Sequence, residues 1–191
     1  MRTGCSLSYF VVNNNDMEFF RDELKKVQAF VFDVDGVLSS HMCALGNDGD
    51  MIRTSCAKDG YALMYSVRKG YVVAIISGGG TEGLQRRFEK LGIKEIHLKI
   101  ADKVKVLEKL MRDYNLEAEE VVFMGDDIPD YEAMRRVGFP VAPLDACEEI
   151  KSIARYISDK KGGEGCVRDI VEQVLKVRGD WMDTGCRVRS M

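Results

Sequence analysis

The stretch VFDVDGVLSS, residues 31–40, begins as an apolar run and then places two carboxylates, Asp33 and Asp35, one residue apart before Gly36. Apolar residues at consecutive positions are typical of a strand that is buried on both faces, as in a parallel sheet. In such sheets, ligands bind beyond the carboxyl ends of the strands. This stretch therefore predicts both the fold class and the place of the functional site.

Other strand-like runs follow, with helical patterns between them. The runs are YVVAIIS (71–77), EIHLK (95–99), EEVVFMG (119–125) and FPVAP (139–143), and the first run extends back to residue 28. Apolar residues three and four apart predict helices in GYALMYSVRK (60–69), TEGLQRRFEKL (81–91), DKVKVLEKLMRDY (102–114) and PDYEAMRRV (129–137), and from about Val167 to Val177. This alternation predicts an α/β fold, a Rossmann-like parallel sheet with helices on both faces.

Residues 38–55 interrupt the alternation. The segment LSSHMCALGNDGDMIRTS carries the turn signal Asn47-Asp48-Gly49 between two runs that can pair. We expect a small β-hairpin, called the flap below, in place of a helix. The predicted organisation is an N-terminal extension (1–15), one domain (16–178, with the flap at 38–55) and a C-terminal tail (179–191).

Composition limits the partners and the setting. The chain has 191 residues, 46% of them hydrophobic, which suits one domain with a substantial core. Its 31 acidic and 28 basic residues are mixed along the chain, so no broad cationic face for nucleic acid or an anionic membrane is expected. Six cysteines without a CxxC pair, and no leader or membrane-length apolar span, indicate free thiols in a reducing cytoplasm.

Three predicted strands end in residues suited to phosphate chemistry. The ends are Asp33-Val34-Asp35-Gly36, Ser77-Gly78-Gly79-Gly80-Thr81 and Gly125-Asp126-Asp127-Ile128-Pro129-Asp130, and Lys103 begins a nearby helix. Clustered carboxylates repel one another unless a hard cation neutralises them, and Mg²⁺ prefers oxygen ligands. A hydroxyl, loop amides and an ammonium can stabilise a transferring phosphoryl group. The set predicts Mg²⁺-dependent phosphoryl transfer to a carboxylate nucleophile.

Each motif alone has a plainer interpretation. The DVDG stretch fits a turn with a helix-capping aspartate, GDD a surface or calcium-like loop, the glycines a turn, and Lys103 a solvated helix start. Their joint placement at element boundaries favours an enzyme. A receiver-like signalling domain also uses an acidic cluster, but it has no use for an acid at Asp35. A catalytically silent scaffold would have lost at least one of these residues.

Taken in order, DVDGV, ISG, the lysine and GDDIPD resemble the four motifs of the haloacid dehalogenase superfamily of phosphohydrolases, over residues 28–145. The resemblance implies that Asp33 is the nucleophile that becomes an aspartyl phosphate and that Asp35 is the general acid. It implies that Ser77 and Lys103 hold the phosphoryl group. The implied Mg²⁺ ligands are Asp33, the backbone carbonyl of Asp35, and Asp126, while Asp127 and Asp130 orient the surrounding groups or Lys103.

A narrower resemblance covers about residues 25–178. DVDGVLSS, LGNDGD, AKDGYAL, ISGGGTEGLQRRFEKLGI, MGDDIPDYEAMRRVG and GGEGCVRDIVEQVL are similar to phosphatases of 3-deoxy-D-manno-octulosonate 8-phosphate, which serve lipopolysaccharide precursor synthesis. Members lack a cap domain and form homotetramers whose hairpins meet centrally, with a neighbouring subunit closing each site. The implied sugar-acid contacts are Lys58, Asp59, Gly60, Gly78 and Arg87, with Glu164 and Arg168 reaching a neighbour's site unless GGEGCVRD is a simple turn.

Three positions depart from this pattern. The chain has Met64 and Gly79 where many members have arginine, and Glu164 where they have GGRG. Cationic contacts to a sugar acid are therefore missing. The 9-phosphate of a nonulosonic acid becomes the alternative substrate, with the same chemistry.

Overall fold

The structure, a computed structural model, describes residues 20–47 and 49–182. Within them, one parallel sheet contains β1 (Ala29–Phe32), β4 (Val72–Ile76), β5 (Glu95–His97), β6 (Val121–Met124), β7 (Phe139–Ala142) and β8 (Tyr156–Ile157). The strand order is β5-β4-β1-β6-β7-β8. Strand β1 therefore lies inside the sheet, paired in parallel with β4 and β6.

Helices connect these strands. They are α1 (Ala57–Arg68), α2 (Glu82–Lys90), α3 (Lys103–Asp113), α4 (Tyr131–Met134), α5 (Glu148–Ile153) and α6 (Cys166–Arg178), with short 3₁₀ turns at Ala118–Glu120 and Ile128–Asp130. Residues 20–24 are also helical. Described residues contain no helix with the length and apolar character needed to cross a bilayer.

The two faces of the sheet carry separate cores. Phe30 and Phe32 belong to a core with residues of α1 and α6, whereas Ala29 and Val31 belong to one with residues of α3, α4 and α5. Alternate residues of a strand point to opposite faces. Because both faces of β1 are covered, all four of its residues are buried. This explains why apolar residues stand at consecutive positions in the strand.

The predicted α/β fold is confirmed. All five strand-like runs form parallel strands, but α5 and β8 were missed because a six-residue helix and a two-residue strand are too short to show a period. The pattern at 129–137 gives only a 3₁₀ turn and the four-residue α4. The expected extension and most of the tail, residues 183–191, lie outside the described residues.

The flap forms in the expected place. Strands β2 (Ala44–Leu45) and β3 (Met51–Ile52) pair antiparallel, and the Gly46 N–H donates to the Asp50 carbonyl at 2.7 Å. Asp48 of the predicted turn lies outside the described residues. The apolar side chains of the flap are exposed: Met42 77%, Leu45 77%, Met51 49% and Ile52 61%.

The start of the tail packs on the domain. Gly179 ends α6 in the left-handed conformation, with φ 76°, which glycine adopts without steric cost. The Tyr65 hydroxyl then donates to the Asp180 carbonyl at 3.0 Å, and Trp181 lies 5.2 Å from the Tyr65 ring between centroids. The tail thus continues the core past the helix for at least these residues.

Candidate active site

The adjacency of β1, β4 and β6 brings three loop starts to one edge of the sheet. The Asp33 N–H donates to the Met124 carbonyl at 3.1 Å, and the Ser77 N–H donates to the His97 carbonyl at 2.9 Å. A cavity of about 400 Å³ opens there. Its polar lining includes Asp33, Asp35, Ser77, Lys103, Asp126, Asp127 and Asp130, with the backbone of Gly78 and Gly79.

Lys103 lies between two carboxylates. Its ammonium is 3.0 Å from Asp33 Oδ1 and 2.7 Å from Asp130 Oδ1, and all three side chains are at most 10% exposed. Burial disfavours the charged ammonium, but the attraction of Asp130 and Asp33 outweighs it and raises the pKa of Lys103. The Asp102 carboxylate accepts from the Lys105 N–H at 3.1 Å, which caps α3 and fixes where Lys103 begins.

Burial and mutual repulsion raise the pKa of each acid in the cluster. Burial, and then the charges of Asp130, Asp33 and Asp127, raise the pKa of Asp126 to about 8. Burial and the charge of Asp33 raise the pKa of Asp130 to about 6 against the opposing effect of Lys103. Burial also raises the pKa of Asp33, again against Lys103. One ammonium does not offset the charge of three carboxylates.

This donor set fits a hard divalent cation. Carboxylate oxygens of Asp33, Asp126 and Asp130 lie within 4.8 Å of one another. The buried Asp33 Oδ1 contacts Lys103 without the alignment of a hydrogen bond, so it has no hydrogen-bond partner among the described residues. Gly36 leaves the space open, because a Cβ there would lie 1.9 Å from Asp126 Oδ2. Its φ of +81° also favours glycine.

Asp130 and Asp127 lie in the same loop with different contacts. Asp130 is buried, and its Oδ2 accepts from the Asp126 N–H at 3.2 Å while its other oxygen holds Lys103. Asp127 is exposed, and its backbone carbonyl accepts from the Asp130 N–H at 2.9 Å. Asp130 therefore organises both the ammonium and the loop.

The loop after β4 is arranged around Ser77. The Gly79 N–H donates to Ser77 Oγ at 3.2 Å, and the Ile100 N–H donates to the Ser77 carbonyl at 3.0 Å. Thr81 then caps α2 by accepting from the Leu84 N–H at 3.3 Å. Ser77 is 1% exposed, so its hydroxyl can serve only a group inside the cavity.

Arg53 is a further residue of the site that no sequence motif predicted. Its Nε is 2.6 Å from Asp35 Oδ1 and its second terminal nitrogen is 2.8 Å from Asp35 Oδ2, so the pair is bidentate. Asp35 Oδ1 also accepts from the Ser39 hydroxyl at 3.2 Å. Arg53 lies in the flap, outside any motif, and only the fold of the hairpin brings it to the loop after β1. No sequence signal identifies it.

A second cavity, of about 270 Å³, adjoins the flap. Its lining includes Arg53, Asp59, Gly60 and Arg87 among apolar side chains. Asp59 is 1% exposed and accepts from the Arg168 N–H at 2.6 Å, and burial raises its pKa. The Arg87 guanidinium lies over Gly60, where a Cβ would come within 2.6 Å of it.

Lys58, Glu164 and Arg168 line a third, open cavity and do not line that of Asp33 in the same chain. The Arg168 guanidinium lies 4.4 Å from the Trp181 ring centroid, and its Nε is 2.7 Å from Glu172. The glycines of the 162–165 loop instead contact the loop after β1. A Cβ on Gly162 would lie 1.9 Å from the Gly36 carbonyl oxygen, and the Gly163 N–H donates to the Val37 carbonyl at 2.8 Å.

Comparison with known proteins identifies relatives across most of the chain. A sequence profile of the haloacid dehalogenase-like hydrolases matches residues 87–170. A 3-deoxy-D-manno-octulosonate 8-phosphate phosphatase of Yersinia pestis is 32% identical over 149 residues, 78% of this chain and 80% of that protein. The phosphatase of the same name from Escherichia coli K12 is 30% identical over 155 residues, 81% of this chain and 82% of the relative.

Solved structures resemble the fold over a similar span. The 3-deoxy-D-manno-octulosonate 8-phosphate phosphatase of Moraxella catarrhalis, crystallised with magnesium, phosphate and a KDO molecule, superposes with a TM-score of 0.82 at 31% identity. The match covers 86% of this chain and 95% of that one. A cobalt-bound deoxy-D-mannose-octulosonate 8-phosphate phosphatase of Haemophilus influenzae gives 0.80 at 28% identity, covering 85% and 96%.

Proposed function

Because this chain belongs to the haloacid dehalogenase-like hydrolases and is a phosphatase, we propose that it hydrolyses 3-deoxy-D-manno-octulosonate 8-phosphate with Mg²⁺ bound. The relatives supply the substrate class, since several at about 30% identity bear that name. The observation that carries the proposal is the cluster of the Asp33, Asp126 and Asp130 carboxylates, whose oxygens lie within 4.8 Å of one another. Lys103 contacts two of these acids.

Asp33 is the proposed nucleophile, because it directly follows β1, lines the cavity and has the Lys103 ammonium 3.0 Å from its Oδ1. Attack on phosphorus forms an aspartyl phosphate and breaks the bond to the sugar oxygen. Lys103 and Ser77 line the same cavity and bind the oxygens of the transferring group. Lys103 also keeps Asp33 close to Asp130 before substrate arrives.

The proposed ion is held by Asp33, the backbone carbonyl of Asp35, and Asp126. When bound, Mg²⁺ neutralises the carboxylates and the developing phosphoryl charge. Asp130 keeps its contacts with Lys103 and with the Asp126 N–H, and so fixes the loop that carries Asp126. Asp127 is exposed and lines the same cavity, where it would add a further negative charge near the ion.

Asp35 is the proposed general acid, which gives its proton to the departing sugar alkoxide and later takes one from the attacking water. It lines the same cavity as Asp33, and its carboxylate contacts Arg53 and Ser39. Asp33 serves the nucleophilic step and Asp35 the proton transfer, because the two carboxylates have different neighbours. Asp33 contacts Lys103, whereas Asp35 contacts Arg53 and Ser39.

The sugar acid would extend toward the second cavity. Asp59, Gly60 and Arg87 line it, and Arg87 has no ion-pair or hydrogen-bond partner within the described part of the chain. A free guanidinium beside an apolar wall suits a carboxylate on a carbon skeleton. Gly78, which lines the catalytic cavity, would add a further contact, whereas Lys58 lines only the third cavity and would need a neighbouring subunit to reach a substrate. The 9-phosphate of a nonulosonic acid remains the alternative substrate for the same site.

A homotetramer is the proposed assembly. The flap exposes apolar side chains on both strands, at Leu45, Met51 and Ile52, and an isolated two-stranded ribbon is marginal in water. Flaps that pack against one another would bury these side chains and cover the active sites. In that assembly Glu164 and Arg168 of one subunit would approach the Asp33 site of another. The proposed setting is lipopolysaccharide precursor synthesis in the cytoplasm.

A phosphate-release screen over sugar phosphates tests the proposal. We expect 3-deoxy-D-manno-octulosonate 8-phosphate to be hydrolysed fastest with Mg²⁺ and not at all with excess chelator. A nonulosonic acid 9-phosphate turned over faster would select the alternative substrate. Equal hydrolysis of all the compounds, or full turnover in chelator, would contradict the proposal.

A further inference from the structure

Arg53 contacts the acid that is proposed to protonate the leaving group. Both carboxylate oxygens of Asp35 accept from the guanidinium, at 2.6 and 2.8 Å. The Arg53 side chain is 8% exposed and that of Asp35 is 32% exposed. Such a fork is among the stronger polar contacts in proteins. The acid proposed to protonate the leaving group is thus engaged by another residue before substrate binds.

Gly79 makes room for this arrangement. A Cβ at position 79 would lie 2.6 Å from the Arg53 terminal nitrogen and 3.0 Å from Asp35 Oδ2. A side chain there would therefore displace the guanidinium or separate the pair. The Arg53 guanidinium extends from the flap into the space that the missing side chain of Gly79 leaves open.

The pair also separates the two cavities. Asp35 lines the catalytic cavity, Arg53 lines the second cavity beside Asp59 and Arg87, and Met51 borders both. A substrate whose phosphate lies at Asp33 and whose carbon skeleton enters the second cavity must pass this pair. Arg53 is then the first cation that an acid group on the skeleton meets.

We propose that Arg53 determines specificity for an acid-bearing substrate by exchanging partners: its guanidinium leaves Asp35 for the carboxylate of the bound phosphomonoester. This inference rests on the proposed function. The substrate carboxylate accepts the two hydrogen bonds that Asp35 accepted before, so the exchange changes the free energy little. Asp35 is then free to face the leaving oxygen. A neutral sugar phosphate offers no such replacement, and Asp35 stays engaged.

The test compares kcat/KM for 3-deoxy-D-manno-octulosonate 8-phosphate with kcat/KM for mannose 6-phosphate, which has no carboxylate. In Arg53→Met, the ratio should fall by about 10- to 100-fold, the size expected for losing a hydrogen bond to a charged group. The fall in the ratio should come from the acid-bearing ester, because mannose 6-phosphate has no carboxylate for Arg53 to bind. A role for Arg53 in stability alone would lower both values together and leave the ratio unchanged.

Gly79→Ala provides a second variant that keeps the charge. Its methyl group should force the fork apart and lower the ratio less than Arg53→Met does. The matched control is Arg86→Met, because Arg86 is an exposed arginine paired with Glu82. This variant should keep the wild-type ratio.

An unchanged ratio in Arg53→Met, or in Gly79→Ala if Arg53→Met does not fold, would overturn this inference while the proposed function stands. A wild-type enzyme that does not prefer the acid-bearing ester would overturn both.

Discussion

Replacing Lys103 with methionine removes the one ammonium that lies between Asp33 and Asp130. Methionine keeps the length and apolar stem of the side chain but leaves two buried carboxylates facing each other. The three side chains are 6%, 10% and 1% exposed, so water cannot replace the lost charge. Removing one partner from a buried ion pair costs about 3–5 kcal/mol. We expect the metal-free variant to lose about that free energy of unfolding, along with its activity.

Urea unfolding of metal-free protein, followed by circular dichroism, measures this loss. Lys105→Met is the matched control on the same helix, since the Lys105 side chain is 82% exposed and its pair with Asp102 is solvated. Such a pair contributes about 0–1 kcal/mol. Adding Asp130→Asn to Lys103→Met should restore part of the stability, because one of the two uncompensated carboxylates is then neutral. Mg²⁺ should stabilise Lys103→Met more than the wild-type chain.

If Lys103→Met were no less stable than Lys105→Met without metal, the cluster would not carry the buried charge that the geometry implies. The cluster would then have no excess negative charge for a divalent cation to neutralise.

Three further predictions concern the chemistry, the metal and the assembly. Asp33→Asn should abolish both turnover and the phospho-enzyme, whereas Asp35→Asn should still capture some phosphate on Asp33. Acid quench and mass spectrometry measure the phospho-enzyme, and equal amounts of it in the two variants would argue against Asp33 as the nucleophile. Because the pKa of Asp126 is raised to about 8, the folded metal-free chain binds more protons than the unfolded chain above about pH 4, so its stability should fall as pH rises from about 4 to 8. Thermal unfolding should therefore show a larger Mg²⁺ stabilisation at pH 8 than at pH 5, and an equal effect would contradict this assignment. Light scattering should show a tetramer that Ile52→Glu dissociates, since Ile52 is 61% exposed on the flap; an active wild-type monomer would mean that the site is covered in another way.

Much of the fold follows from local pattern. The consecutive apolar residues of β1, β4 and β6 require cover on both faces, which only a parallel sheet between helix layers provides. Since parallel strands share one carboxyl edge, Asp33, Ser77 and Asp126 were expected at the same edge of the sheet, and the observed order β4-β1-β6 makes them neighbours. Strand β8 and helix α5 are stabilised by contacts with neighbouring elements at the sheet edge. Both are too short to show a hydrophobic period, so no local pattern predicted them.

The active site likewise contains residues that the sequence predicted and one residue, Arg53, that it did not. Asp33, Asp35, Ser77, Lys103 and Asp126 could be placed in one cavity from sequence, because each lies at the boundary of a strongly patterned element. Arg53 could not be placed, because its partner is 18 residues away along the chain and a hairpin can direct an arginine to solvent or to the core. The position of the 162–165 loop against Gly36 likewise depends on how α6 packs on α1.

Sequence by itself determined which residues stand at the strand ends, because hydrophobic burial is periodic and local. Tertiary structure alone decided which charges face one another: Lys103 between two acids, and Arg53 on Asp35. The physical reason is that charge contacts depend on distances of a few ångströms between segments far apart in sequence, and these distances exist only once the layers have packed.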